Sequence, residues 1–128
     1  MTVIHNEDLQ MLELPGLQHQ TIGGHEQGLK TMEVWLQTIA PGAATPVHCH
    51  ACEEVILILS GSGTCTVEGD STPFGLNSTL IVKPDVVHQI VNTSDEEMKL
   101  VAALSMAPVR VKTAEGDPLP VPWEAPGE

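Results

Sequence analysis

The sequence predicts an all-β domain, a sandwich or barrel of two antiparallel sheets. Three observations predict it. Short apolar segments recur roughly every 8–12 residues. Clusters of Gly, Pro and Asn punctuate them. No segment keeps a helical period for more than about two turns. The 128 residues are enough for one core but not for two, so a single domain is expected.

The elements follow in order. Residues 1–14 are amphipathic without a clean period, and the segment from Asn6 to Leu12 suits one helical turn or an arm. Pro15-Gly16 and Gly23-Gly24 read as turns that bracket a short strand over residues 17–22. Residues 31–40 make a strong strand. Val34, Leu36, Thr38 and Ala40 share one face, and Glu33, Trp35, Gln37 and Ile39 the other. Pro41-Gly42 ends it. The apolar run Val55 to Leu59 reads as a buried strand that would hold the site rigid. Gly61-Ser62-Gly63 turns the chain into a strand over 64–68, and Gly69-Asp70 turns it again. Strands over 78–82, 86–91 and 98–104 complete the β region. Beyond Pro108, prolines at 118, 120, 122 and 126 preclude a regular helix. The expected layout is an N-terminal arm with strands over 1–27, a barrel over 28–107 and a proline-rich C-terminal arm or lid over 108–128.

Charge narrows the partners. Five basic against 17 acidic residues give a net charge of −12. Nucleic acid and anionic membrane surfaces need clustered Lys and Arg, so neither is expected as a partner. No stretch resembles a transmembrane span or a leader peptide, and a cytoplasmic location is the default expectation. Cys49, Cys52 and Cys65 are an odd number, which favours reduced thiols over a disulfide framework. Cys49 and Cys52 form a C-x-x-C without a second copy, and packing in a strand or turn is favoured over redox chemistry.

The chemistry concentrates at His48, His50 and Glu54. On an extended strand, residues two or four apart share a face, so two imidazoles and a carboxylate would point the same way. That is a half-site for a transition metal. His88, 34 residues after Glu54, would complete it. A lone histidine in an apolar strand is more often a satisfied core residue, but here three other donors precede it. Glu53 faces away from Glu54 and reads as a surface charge. His5, His19 and His25 lie outside the pattern and are expected to face solvent. Of the three aromatic residues, Trp35 is expected in the core or at a dimer contact. Trp123, in a tail with little local core, is expected to cover the ligand site.

Residues 42–61 resemble the first cupin motif, Gly-x5-His-x-His-x3-Glu-x6-Gly, at every defining position. Residues 77–92 resemble the second, matched at His88 and Asn92. There Asn77 replaces the leading glycine, and Lys83 and Asp85 stand where the family has proline and glycine. The resemblance implies a cupin double-stranded β-helix, a jelly-roll barrel of two antiparallel sheets with the metal inside. Over residues 28 to about 110 the chain is also similar to the plant auxin-binding proteins. The phrases Glu33-Val-Trp-Leu-Gln-Thr, Thr45-Pro-Val-His-Cys-His-Ala-Cys-Glu-Glu-Val and Val91-Asn-Thr carry the likeness. That family's zinc on three histidines and a glutamate implies zinc at His48, His50, Glu54 and His88. It also implies a small carboxylate on the metal and pocket positions at Gln37, Thr45, Pro46 and, through Pro120-Val-Pro-Trp123, the tail. The family's leader, retention tail and disulfide are not seen, so a stripped bacterial relative is expected rather than a hormone receptor.

Three neutral imidazoles, one carboxylate and a divalent ion sum to about +1, which favours an anion at the metal. Zn is the expected metal, although these donors would also take Mn, Fe, Co or Ni. Two functions stay open. One is a binding protein for a small carboxylate, aromatic ligands included. The other is a metal-dependent dioxygenase, decarboxylase or isomerase, for which no catalytic residue is identified. A cupin with a purely structural metal is the third. Sheet edges that need covering predict a homodimer, paired through residues 1–14 or the tail.

Overall fold

The computed structural model describes residues 1–126. Among the described residues, nine strands make two antiparallel sheets: β1 (Leu12–Leu14), β2 (Leu17–Gly23), β3 (Glu33–Ile39), β4 (Glu54–Ser60), β5 (Gly63–Val67), β6 (Asp70–Phe74), β7 (Thr79–Val82), β8 (His88–Asn92) and β9 (Met98–Leu104). The larger sheet has the order β1-β2-β3-β9-β4-β7 and the smaller β6-β5-β8. Two short 3-10 turns, Asn6–Asp8 and His25–Gln27, are the helical elements among the described residues. None of them is long and apolar enough to cross a membrane.

The alternation in β3 decides which face is inward. Glu33, Trp35, Gln37 and Ile39 are buried and their neighbours half-buried. On β9, Met98, Leu100, Ala102 and Leu104 are buried, and on β4, Ile56 and Ile58. The register sets Trp35 against Ala102, and Ala102 against Ile56, so one layer of the core crosses three strands. The first strand pairs with β2, Leu14 opposite Leu17, and forms one edge of the larger sheet.

Two expectations about strands are corrected. The run Val55 to Leu59 is not buried on both faces. Ile56 and Ile58 point inward, whereas Val55, Leu57 and Leu59 are 45%, 41% and 45% exposed. A continuous apolar run here marks a strand with one dry face and one apolar outer face. The structure also contains β6, which turn residues hide in the sequence. Its Pro73 cannot donate to a ladder, and β6 lies at the edge of its sheet, where such a residue is tolerated.

Candidate metal centre

His48 and His50 do not lie on a regular strand. They precede β4 in an irregular segment, and Glu54 is the first residue of β4. Backbone pairing across the barrel brings His88 to them. His48 N–H donates to His88 O at 3.1 Å, and His88 N–H donates back to His48 O at 2.9 Å. This reciprocal bridge sets the two imidazoles side by side, with ring centroids 4.3 Å apart. His50 lies 5.6 Å from His48 and 5.3 Å from His88 by the same measure. One ring nitrogen from each histidine falls within 4.8 Å of the others. Glu54 Oε1 stands 3.2 Å from His50 Nε2 and 3.4 Å from His88 Nε2.

Carbonyl groups fix the tautomers. His48 Nδ1 donates to Pro46 O at 2.6 Å and His88 Nδ1 to Val86 O at 2.8 Å. A carbonyl only accepts, so in the neutral ring the proton sits on Nδ1 and the Nε2 lone pair is free, the arrangement of metal-ligating histidines. His50 differs: its Nδ1 faces Cys52 Sγ at 3.5 Å. Burial, with His88 adding to it, lowers His48 to about 4, so it is neutral at pH 7. For Glu54, burial pushes the pKa up, but the imidazoles of His50 and His88 outweigh it and hold the carboxyl at about 2. Close as they are, His50 Nε2 and Glu54 Oε1 have no hydrogen-bond partner among the described residues. The 3.2 Å contact is a hydrogen bond only while His50 Nε2 carries a proton; with the lone pair there, as a metal ligand needs, it is proximity alone. Buried polar atoms are rarely left unpaired. Free lone pairs converging on one point fit a divalent cation, and the histidine cluster could hold one.

The cavity beside the cluster is narrow, about 30 Å³. Trp35, Gln37, Thr45, Pro46, His48, Glu54, His88 and Trp123 line it, as do apolar residues including Ile56, Leu100, Val111, Leu119 and Val121. Every pocket position inferred from the sequence thus reaches one cavity. Thr45 is already engaged, its hydroxyl accepting from Ile90 N–H at 3.0 Å. Trp35 is 4% exposed, and its Nε1 donates to Glu33 at 2.9 Å, so it belongs to both core and cavity wall. The three cysteines are free and buried, and Glu53 is exposed.

His19 is the residue the sequence misplaces. It does not face solvent but is 0% exposed. It lies opposite Gln37 in the β2–β3 ladder and so shares its inward face. Its Nδ1 meets Gln37 Nε2 at 3.0 Å, its Nε2 meets Thr21 Oγ1 at 2.7 Å, and its ring stacks on Trp123. The one signal is slight: in Leu17-Gln18-His19 the histidine shares the parity of a single apolar residue. Burial lowers His19 to about 3. His19 and His48 therefore bind protons more weakly folded than unfolded, near 6.5. The stability this confers is complete above pH 6.5 and lost as pH falls toward 4 and 3. At about 1.4 kcal/mol per pH unit, His19 alone should contribute several kcal/mol to that loss. Urea unfolding of metal-free protein from pH 7 to 4 should show the decline, and His19→Gln should flatten it.

A two-sheet jelly roll with buried histidines on facing segments defines a cupin, and solved structures agree. A polyketide cyclase from Streptomyces resistomycificus superposes with a TM-score of 0.72 at 18% identity, over 86% of this chain and 84% of that one. A predicted oxalate decarboxylase from Thermotoga maritima gives 0.70 at 18% identity, over 82% and 99%. Within the cupins, the auxin binding protein family model matches residues 4–122, and the chain belongs to that family. Auxin-binding protein 1 of Arabidopsis thaliana is 38% identical over 107 residues, 76% of this chain and 54% of that protein. Auxin-binding protein T92 of Nicotiana tabacum is 40% identical over 75% of this chain and 58% of its own length. The chain thus spans just over half the length of these curated relatives.

Proposed function

We propose that this chain binds a small carboxylate, aromatic ones included, at a divalent metal held by His48, His50, His88 and Glu54. The observation that carries it is the pair of unpartnered buried atoms, His50 Nε2 and Glu54 Oε1, in a mostly apolar cavity. Zinc is the metal proposed, supported by the kinship with the auxin-binding proteins. When bound, the metal supplies a positive charge and an open coordination position for an anion. The chain's own residues do the rest. Carbonyls of Pro46 and Val86 orient two of the ligands, Glu54 offsets the charge, and the apolar wall excludes water. Gln37 would meet the carboxylate, Thr45 and Pro46 would shape the cavity floor, and Trp123 closes the top.

The test joins metal analysis of native protein to a thermal-shift screen of carboxylates that includes indole-3-acetate. Stoichiometric zinc and a melting temperature raised by at least one carboxylate are expected; no shift with any carboxylate would sink the reading. A metal-dependent enzyme is the second reading. It is favoured by a gentisate 1,2 dioxygenase of Aquipseudomonas alcaligenes, 33% identical over 69% of this chain and 24% of that protein. Iron or manganese in place of zinc, with oxygen consumed on addition of an aromatic carboxylate, would decide for it.

We also propose a homodimer, for which the outer face of the large sheet offers a second surface beside the arms. Val55, Leu57 and Leu59 on β4 and Ile81 on β7 are exposed there, and Val101 and Leu36 flank them half-buried. This face carries apolar side chains with Lys99 at its margin, and in a chain of net charge −12 it suits a second copy, which can meet it without bringing the named residues against carboxylates. Exposed apolar patches of a few hundred Å² mark such interfaces. Light scattering should give twice 13.7 kDa, and Leu57→Glu with Ile81→Glu should halve it.

A further inference from the structure

The cavity beside the histidine cluster is too small for the ligand class proposed for it. Its volume is about 30 Å³, room for a water or two, whereas a benzene ring occupies a cavity of about 150 Å³. What fills the missing space is the protein's own indole. Trp123 lies flat on His19, with ring centroids 4.0 Å apart and planes 8° from parallel, and meets Trp35 edge-on at 6.1 Å. His19 is itself held on both sides, by Gln37 and Thr21. It is a fixed, uncharged shelf for one flat ring.

The plugging indole is imperfectly satisfied. Trp123 Nε1 is buried with no hydrogen-bond partner among the described residues, which destabilises this position relative to one that pairs the donor. Trp123 is also the wall between two cavities. Behind it lies a second, of about 130 Å³, lined among others by Thr21, Glu33 and Glu124. None of His48, His50 and His88 lines it, and the carboxylate oxygens of Glu33 and Glu124, each with one partner already, can accept a second bond there. The chain beyond Trp123 is pinned independently: Glu124 accepts from Val111 N–H at 3.1 Å, and Arg110 bonds to Ala125 O. The ring can turn without the tail coming away.

The geometry points to Trp123 as an exchangeable plug: an aromatic carboxylate that reaches the metal takes the indole's place on His19, and the indole turns outward into the second cavity. This rests on the carboxylate reading above and deepens it. Trp123 competes with the ligand ring instead of contacting it, and the site selects flat aromatic carboxylates over aliphatic ones of equal charge. Acetate can reach the metal with the plug in place; phenylacetate cannot.

Zinc-loaded Trp35→Phe protein keeps Trp123 as its one tryptophan. Titration with phenylacetate should raise the melting temperature, red-shift the emission and at least double the acrylamide quenching constant. Acetate should leave the emission unchanged. A rise in melting temperature with unchanged Trp123 emission overturns the exchange. A second arm needs neither metal nor carboxylate. Trp123→Ala bares the shelf, so millimolar free indole should raise that variant's melting temperature by a few degrees, leave wild type unmoved, and lose its effect when His19→Ala is added. Trp123→Leu serves if the alanine variant does not fold. Indole that stabilises neither variant overturns the shelf. If indole stabilises the variant but no carboxylate shifts any form of the protein, the shelf stands and the carboxylate function fails.

Discussion

Replacing His50 with alanine is expected to lower zinc affinity by at least about 100-fold while the barrel stays folded. The loss follows from position. His50 is 1% exposed, and its Nε2 has no other partner to turn to among the described residues. Losing even a residue that only orients a metal ligand costs about 10–100-fold in affinity, and a ligand itself should cost no less. The fold survives because its core lies elsewhere, in Ile39, Ile56, Ile58, Met98, Leu100 and Leu104. A secondary effect has a definite sign. His50 is one of two imidazoles that hold Glu54 at about 2 against burial. With His50 gone, the carboxyl of the metal-free variant should titrate higher. Equilibrium dialysis with zinc, circular dichroism and a pH titration of the variant check all three outcomes. Retained zinc at wild-type affinity would remove His50 from the ligand set.

Gly63→Ala is expected to cost at least about 3 kcal/mol, a large share of the roughly 5–15 kcal/mol that holds a domain together. The reason is contact. A Cβ at Gly63 would lie 2.0 Å from Val91 O and 2.8 Å from Met98 Cε. The methionine can yield, but the carbonyl belongs to the β5–β8 ladder, where Gly63 pairs with Asn92. Relief requires β8 to move, and β8 carries His88. Metal affinity should therefore fall along with stability. Gly69 is the control. Its φ is +86, and a Cβ added there would meet nothing within 4 Å, so Gly69→Ala should cost only the backbone preference, about 1–2 kcal/mol. Urea denaturation of the two variants separates the effects; equal losses would refute the steric account.

Much of the site was legible along the chain because it is local. His48, His50 and Glu54 fall within seven residues, from 48 to 54, and alternation sorts the residues of β3 onto two faces. Even there the reason differed. The three converge through an irregular segment and a bridge to His88, not through one continuous strand. Period two put Gln37 on one face with Trp35 and Ile39, and the resemblance, not the spacing, pointed that residue to the pocket. His19 was not placed, since its short segment carried too few apolar neighbours to reveal which parity is buried.

Fold class and the converging histidines could be read along the chain, and the family resemblance pointed to Gln37, Thr45 and Pro46. That His19 is buried, that Trp123 lies on it and that alternate residues of the run 55–59 face outward emerged only from the folded molecule. The difference is one of range. Spacing along a strand assigns residues to opposite faces but does not say which face is covered. A stack between residues 19 and 123 depends on two segments meeting across the whole chain, which no local pattern encodes.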